Sequence, residues 1–408
     1  MSISPTLPTS IPMSILRPAH RVLDFFLHLE RRFEPFFRPG LNALLRKPSA
    51  AIIQFFYDLW RPNMGLRLAE ERIDPDEEAS TQGMIDAMRE HLKQDFKPGE
   101  MERAGNTKTH GLMRAEFIVH DGLPANLRKG LFAEPKTYRC YVRFSGPGPH
   151  VEPDIDDVGF ISIGVKVMGV PGPKLMEDEK FTQDFTGVCT PTFVTPNTRA
   201  NARLQVWSWR HLPVFYFFDP TVPGGTHILD FLMQSLWNET QYNPLGHRFF
   251  SCVPYLWGEG QAVKYCFLSR TKVHRKIPRV PFRPPDNYLR DNMVKTLAEK
   301  DVEIDMCVQV QTDPHKMPIE DAGVLWPERL SPQIPVATVR IPKQKFDHPK
   351  QLAFARNLTL NPWHCLPEHR PLGNQSRARK RMYYELSRFR QQVNGEPHIE
   401  PTGDEVFE

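Results

Sequence analysis

Forty of the 408 residues are proline, nearly one in ten. Proline removes a backbone donor and clashes with the preceding helical turn. This density argues against an all-helical fold and calls for long ordered loops. Between the prolines lie short apolar runs at 110–119, 138–145, 160–170, 262–268, 304–311 and 336–341. They alternate loosely, as strands do. A helix is expected from the acidic stretch at 74–78 to about Phe96, with further helical pieces around 199–240, 286–300 and 347–392. Strands spread through a long chain, without regular alternation with helices, imply an antiparallel β-barrel in an α+β architecture rather than a doubly wound sheet. No internal repeat is visible.

The composition, 40% hydrophobic and 25% charged, suits one large globular domain or two. A net charge of +4 does not call for nucleic acid as a partner. Six cysteines (140, 189, 252, 266, 307, 365) are scattered without a CxxC pair, so neither a disulfide framework nor a zinc motif is indicated. They read as reduced and buried, which fits an intracellular compartment. The Ser/Pro-rich opening, residues 1–13, lacks the basic start and apolar run of a signal peptide. No run of about 18 apolar residues is present, so no membrane-spanning helix is expected.

Residues 17–72 differ from the rest. Val22, Leu23, Phe25, Phe26, Leu29, Phe33, Phe36 and Phe37 alternate with His20, Arg21, His28, Arg31, Arg32 and Arg38, and a second apolar patch covers 50–60. Such amphipathic helices lie in a membrane interface. An arm wrapped on the domain or on a second subunit reads the same way. Pro35, Pro39, Pro48 and Pro62 are expected to break it into short pieces. The expected division is an arm at 1–73, a main domain at 74–395 and a tail at 396–408.

The stretch 376–390 has neither Gly nor Pro and reads as a helix. Arg379 and Tyr383, four apart, share a face. A guanidinium one turn away lowers the pKa of a phenol, normally near ~10, and stabilises the phenolate. Tyrosinate is an established axial ligand of haem iron. Arg388 and Arg390 follow, and arginine suits carboxylates such as haem propionates. A solvated basic helix with a Tyr-Tyr pair touching the core is the plainer reading of the same residues.

This R-x-x-x-Y stretch, with its trailing arginines, resembles the proximal haem segment of the catalase superfamily. Three further segments stand in catalase order: Arg143-Phe144-Ser145, the run 187–193 ending in Phe193, and Asn361-Pro362-Trp363 with its Pro-rich turn to Gly373. The resemblance spans roughly 75–395. Phrases at 108–111, 321–326 and 367–373 are similar to the smaller, divergent catalase-like haem proteins, related to enzymes acting on fatty-acid hydroperoxides. The resemblance implies a catalase-type barrel and haem b. It implies Tyr383 as iron ligand, Arg379 beside it, Phe193 against the haem, and Arg143 with Arg103, Arg388 and Arg390 toward its propionates. Ser145 would support a distal base.

Two positions depart from the family pattern. E-R-x-x-H, counted from Glu102-Arg103, puts Asn106 where the distal histidine belongs, and Cys189 stands where the distal asparagine belongs. His110 is the nearest imidazole and is taken as the distal acid–base. The expected function is a haem-dependent oxidoreductase reacting with an organic or lipid hydroperoxide. A weak hydrogen peroxide catalase and a non-catalytic haem- or lipid-binding barrel remain alternatives. Peripheral membrane contact through 17–60 and a homo-oligomer are the expected partners. His211, His227, His247, His274 and His315 show no ligand spacing and read as structural. No P-loop, GxGxxG or GxSxG is present.

Overall fold

The computed structural model describes residues 13–219 and 225–407. The opening residues that bear on a signal peptide lie outside them. Among the described residues nine strands form one antiparallel sheet: β1 (Thr109–Val119), β2 (Thr137–Ser145), β3 (Ser162–Met168), β4 (Thr182–Val188), β5 (Arg248–Phe250), β6 (Tyr255–Leu256), β7 (Ala262–Ser269), β8 (Val302–Val310) and β9 (Ile334–Ile341). The order is β5-β4-β3-β2-β1-β9-β8-β7, and β5 pairs again with β7, which closes an eight-stranded barrel. The short β6 extends the edge beside β7. The sequence expectation missed β4, β5 and β6. Two of these are too short to show a period, and β4 carries Thr182, Gln183 and Asp184 in buried positions.

Alternation sorts the strands into an apolar lining and a mixed outer wall. Met113, Phe117, Cys140, Val142, Phe144, Ile163, Val165, Phe185, Phe249, Phe267, Met306 and Val339 belong to one buried core. An eight-stranded barrel is just wide enough to be filled by its own side chains. The lumen is therefore core, and chemistry is left to the outside. There the register aligns Arg143, Gly164 and Thr186 across β2, β3 and β4, with Ser145 and Ser162 one step nearer the rim.

Helices α2 (Glu77–Asp95), α3 (Thr198–Trp209), α4 (Ile228–Ser235), α5 (Tyr288–Glu299), α6 (Pro349–Asn357) and α7 (Asn374–Asn394) pack around the barrel. The segment between α6 and α7 lies on the outer wall of β3 and β4, with Leu360 seated over Gly164. A buried network fixes it there. Lys166 Nζ lies 2.8 Å from Asp184 Oδ1 and also bonds Glu179. His364 lies 3.0 Å from Asp184 and 3.1 Å from Asp178. Residues 396–407, expected as a tail, also join this coat: Tyr141 donates to Glu405 at 2.6 Å, and Phe407 packs on Tyr141 and Phe354.

The arm differs from expectation. It is one helix, α1 (Met13–Trp60), running through Pro18, Pro35, Pro39 and Pro48. Side chains on its inner face supply the hold that the missing backbone bonds do not. Arg32 pairs with Asp156 at 3.1 Å, Arg46 with Glu239 at 2.8 Å, Glu34 accepts from Thr240, and Tyr57 donates to Asp230. Gly159, at φ 74, lets the guanidinium of Arg31 close in, since a Cβ there would collide with it. Among the described residues, no helix is long and apolar enough to cross a membrane.

Candidate functional site

A helix turns 100° per residue, so α7 sorts its own arginines. Arg379 and Arg390 are eleven residues apart, three turns, and share one face with Tyr383. Arg388, nine residues from Arg379, falls on the opposite face. The structure follows this geometry. Arg379 and Arg390 are buried. The Arg379 guanidinium lies 5.1 Å over the Tyr383 ring and donates to Thr186 Oγ1 on the barrel wall at 2.8 Å. Burial works against its charge, but the nearby Tyr383, Tyr255 and Tyr265 hold the Arg379 pKa above the ordinary arginine value. Arg388 instead pairs with Asp178 at 3.3 Å and stacks over the exposed Tyr384. The expectation that Arg388 joins the other arginines is corrected: it is the helix phase that separates them.

Three arginines from three elements converge around Glu102, and Arg103 also interacts with Tyr383. Arg143 stands on β2 and is 3% exposed; Arg390, on α7, is equally buried. Arg103, from the segment before β1, is half-buried. Burial lowers the pKa of all three, and each is pushed further down by another: Arg103 by Arg143, Arg143 by Arg390, Arg390 by Arg103. Arg143 falls to about 9. Glu102 is the carboxylate that supports each of them, and burial raises its own pKa. Backbone oxygens take up the donors: Ala355 from Arg103 at 3.0 Å, Asn357 from Arg390 at 3.1 Å, Asn106 from Arg143 at 2.8 Å. The first two belong to the C-terminal end of α6, where the helix dipole is negative. Buried polar atoms nevertheless stay unpaired, among them Nε of Arg103, Arg143, Arg379 and Arg390, Asn106 Oδ1 and Ser162 Oγ.

The distal candidates are placed as follows. Asn106 adopts φ 56, and its carbonyl bonds Arg143. A β-bulge at Thr109–Gly111 carries His110, which is 1% exposed. Its Nδ1 lies 3.7 Å from Asp154 Oδ1, and neither ring nitrogen has a hydrogen bond. Burial, then Lys108, Arg290 and Arg143, hold its pKa well below the ordinary histidine value, so the ring is neutral. Asp154, raised to about 6 by burial, and Asp157 beside Gly146 come from the β2–β3 loop. Ser145 is buried beside them on the rim. Cys189 is engaged elsewhere: its sulfur accepts from Ile161 N at 3.2 Å, and burial pushes the thiol up to about 12. Phe193 packs half-buried against the barrel core.

Sequence reasoning missed Glu102 as the shared counter-charge, the α6 carbonyls, and the Lys166–His364 network. Glu102 stood in the E-R pair that was read only for its arginine; the other two depend on pairings distant in sequence.

No protein-family model matches the chain, and no curated protein matches it. Solved structures do. A bacterial catalase aligns over 83% of this chain and 67% of its own length, at 16% identity and a TM-score of 0.51. Catalase A from Saccharomyces cerevisiae aligns over 82% and 70%, at 14% identity and 0.49, and a fungal catalase over 82% and 68%, at 15% identity and 0.48. With its closed eight-stranded barrel and surrounding helices, the chain is catalase-like in fold.

Proposed function

We propose that this chain is a haem b oxidoreductase that reacts with peroxides, and that its substrate is an organic or lipid hydroperoxide. The observation that carries the reading is the convergence of Arg103, Arg143 and Arg390 on Glu102, in a site that also holds a tyrosine whose ring an arginine covers. With Glu396 paired to Arg356, three arginines against Glu102 leave an excess of two positive charges, which a ligand with two carboxylates would neutralise. The unpaired Nε atoms and Ser162 Oγ in the same wall fit a polar, anionic occupant. Haem would bring the redox chemistry that cleaves a peroxide bond. Tyr383 would supply an oxygen ligand to the iron, with the Arg379 guanidinium lying over its ring. His110, neutral and without a hydrogen bond, would accept a peroxide proton on a ring nitrogen and return it to the leaving oxygen.

The outer face of α1 supports the apolar substrate. Phe25, Phe26, Phe33, Phe36, Leu44, Ile52, Phe55 and Trp60 are all exposed along it. Its exposed charged side chains include Arg17, Arg21 and Lys47 against the acids Asp24 and Glu30. Aromatics with a basic excess suit an anionic lipid surface. A helix lying there would place the barrel at the source of lipid hydroperoxides.

The test is reconstitution of the full chain with hemin. A ferric tyrosinate spectrum at one haem per chain is expected, with slow oxygen release from hydrogen peroxide and faster consumption of a fatty-acid hydroperoxide. A chain that takes up no haem overturns the reading. Oxygen release near the diffusion limit of ~10⁸ M⁻¹s⁻¹ overturns the substrate assignment.

A further inference from the structure

Two clusters of histidine and carboxylate lie apart from the arginine–tyrosine face. In the first, Glu179, Asp184 and His364 surround the ammonium of Lys166, so the cluster already holds its cation. In the second, His91, Asp95, His150 and His211 converge, and among the described residues the ion-pair partners of Asp95 are histidines alone.

We propose that His91, Asp95, His150 and His211 form a binding site for one divalent transition-metal ion, with zinc as the best match. Asp95 Oδ2 lies 3.2 Å from His91 Nδ1 and 3.1 Å from His150 Nδ1. Ligand atoms around a tetrahedral ion with bonds of ~2.0 Å sit about 3.3 Å apart. His211 Nε2 lies 3.8 Å from the other carboxylate oxygen, and its ring stacks on that of His150 at 5.3 Å. His91 Nδ1 and Asp95 Oδ2 are both shielded from water and without a hydrogen bond, although they face each other. Two lone pairs meeting in this way repel unless a cation stands between them.

The supporting contacts agree. His91 Nε2 lies 3.4 Å from the Pro149 carbonyl, which places its proton there and leaves Nδ1 free as a ligand. Three imidazoles and one carboxylate suit zinc and its first-row neighbours, not calcium or magnesium, which want more oxygen ligands. The His211 side chain is 53% exposed, which leaves an entry path.

The ligands also come from distant segments. His91 and Asp95 share a face of α2, His150 belongs to the β2–β3 loop, and His211 follows α3 at φ 59, an uncommon conformation for this residue type. A metal here would tie α2 and α3 to the loop that presents Asp154 and Asp157 to His110.

The experiment uses the full chain, freed of metal with a chelator and then dialysed. Zinc chloride is titrated by calorimetry, and bound zinc is counted by elemental mass spectrometry after gel filtration. One zinc per chain and a raised melting temperature are expected. His150→Ala and His211→Ala should each weaken zinc affinity by about 10- to 100-fold. The His211 and His150 side chains are 53% and 31% exposed, so neither variant empties a packed core, and His315→Ala serves as the control. Failure of the wild type to retain zinc overturns the proposal. So does equal zinc uptake by the wild type and the His150→Ala/His211→Ala double variant.

Discussion

Helix α7 buries Arg379 and Arg390 against the barrel, whereas helix α1 turns Arg32, Glu34 and Arg46 inward and leaves Phe36, Leu44 and Trp60 at 66%, 75% and 64% exposure. Neither follows the ordinary sorting of apolar inside and polar outside. The departures differ in what they demand. Charge buried in excess requires a compensating ion or ligand, because an uncompensated buried charge is costly. Apolar surface left open requires a covering partner. α7 therefore points to something bound inside the protein, and α1 to something outside it.

The largest effect should come from the axis of α7. Tyr383→Phe removes the oxygen proposed to ligate the iron but keeps the ring under Arg379. It should abolish stoichiometric haem uptake, read from the absorption spectrum. Tyr384→Phe, on the exposed side of the same helix, should change nothing. A Tyr383→Phe protein with the wild-type spectrum would move the ligand elsewhere.

Next in size are the arginines. A charge-assisted pair contributes about 1.5–3 kcal/mol. Arg143→Ala or Arg390→Ala should thus weaken haem retention by about ten- to a hundredfold. Arg388→Ala should leave it unchanged, because that side chain is committed to Asp178 on the opposite face. Equal losses for Arg388→Ala and Arg390→Ala would break the argument from helix phase.

This pair of variants also marks how far the sequence could be read. The barrel was legible because six of its strands are long enough to show their alternation and are bounded by Gly and Pro. Tyr383 and Arg379 were legible because their partnership lies within one helical turn. Arg388 was misplaced although the same helical geometry was available: the trailing arginines were read by proximity, not by phase. The continuity of α1 was not legible, since proline spacing argued for breaks and the contacts that hold it, such as Arg32 with Asp156, are 124 residues apart. Asp95 and the three histidines around it were missed for the same reason. Only His91 and Asp95 are near in sequence, and no local motif announces His150 or His211.

The outward face of α1 predicts a smaller effect and a separable one. A chain beginning at Asp74 should keep its haem spectrum but lose sedimentation with vesicles of anionic lipid. Phe36→Glu with Phe37→Glu in the full chain should reduce that sedimentation without touching haem. If these variants bind vesicles as the parent does, the lipid surface is not what covers α1. If the shortened chain loses haem, the two helices are not independent.

The smallest expected difference is in pH dependence, and it belongs to the side of the molecule that holds α7. His364 sits in the network that fixes the segment leading into α7. Burial opposes its charge, yet the hydrogen bonds it donates to Asp178 and Asp184 raise its pKa to about 9. An unfolded histidine titrates near ~6.5. The folded state thus binds the proton more tightly than the unfolded state, and stability falls wherever the folded state holds more protons as pH rises. The contribution is complete below about 6.5 and is lost as the pH climbs through about 9. The melting temperature should therefore decline across this window, by several degrees in the wild type, and the decline should shrink in His364→Gln. The α1-deleted chain should show the same slope as the parent, since this network lies in the coat over β3 and β4. A pH profile that is flat from 6 to 9 would mean that Lys166 alone neutralises Asp184 and Glu179, with His364 uncharged among them.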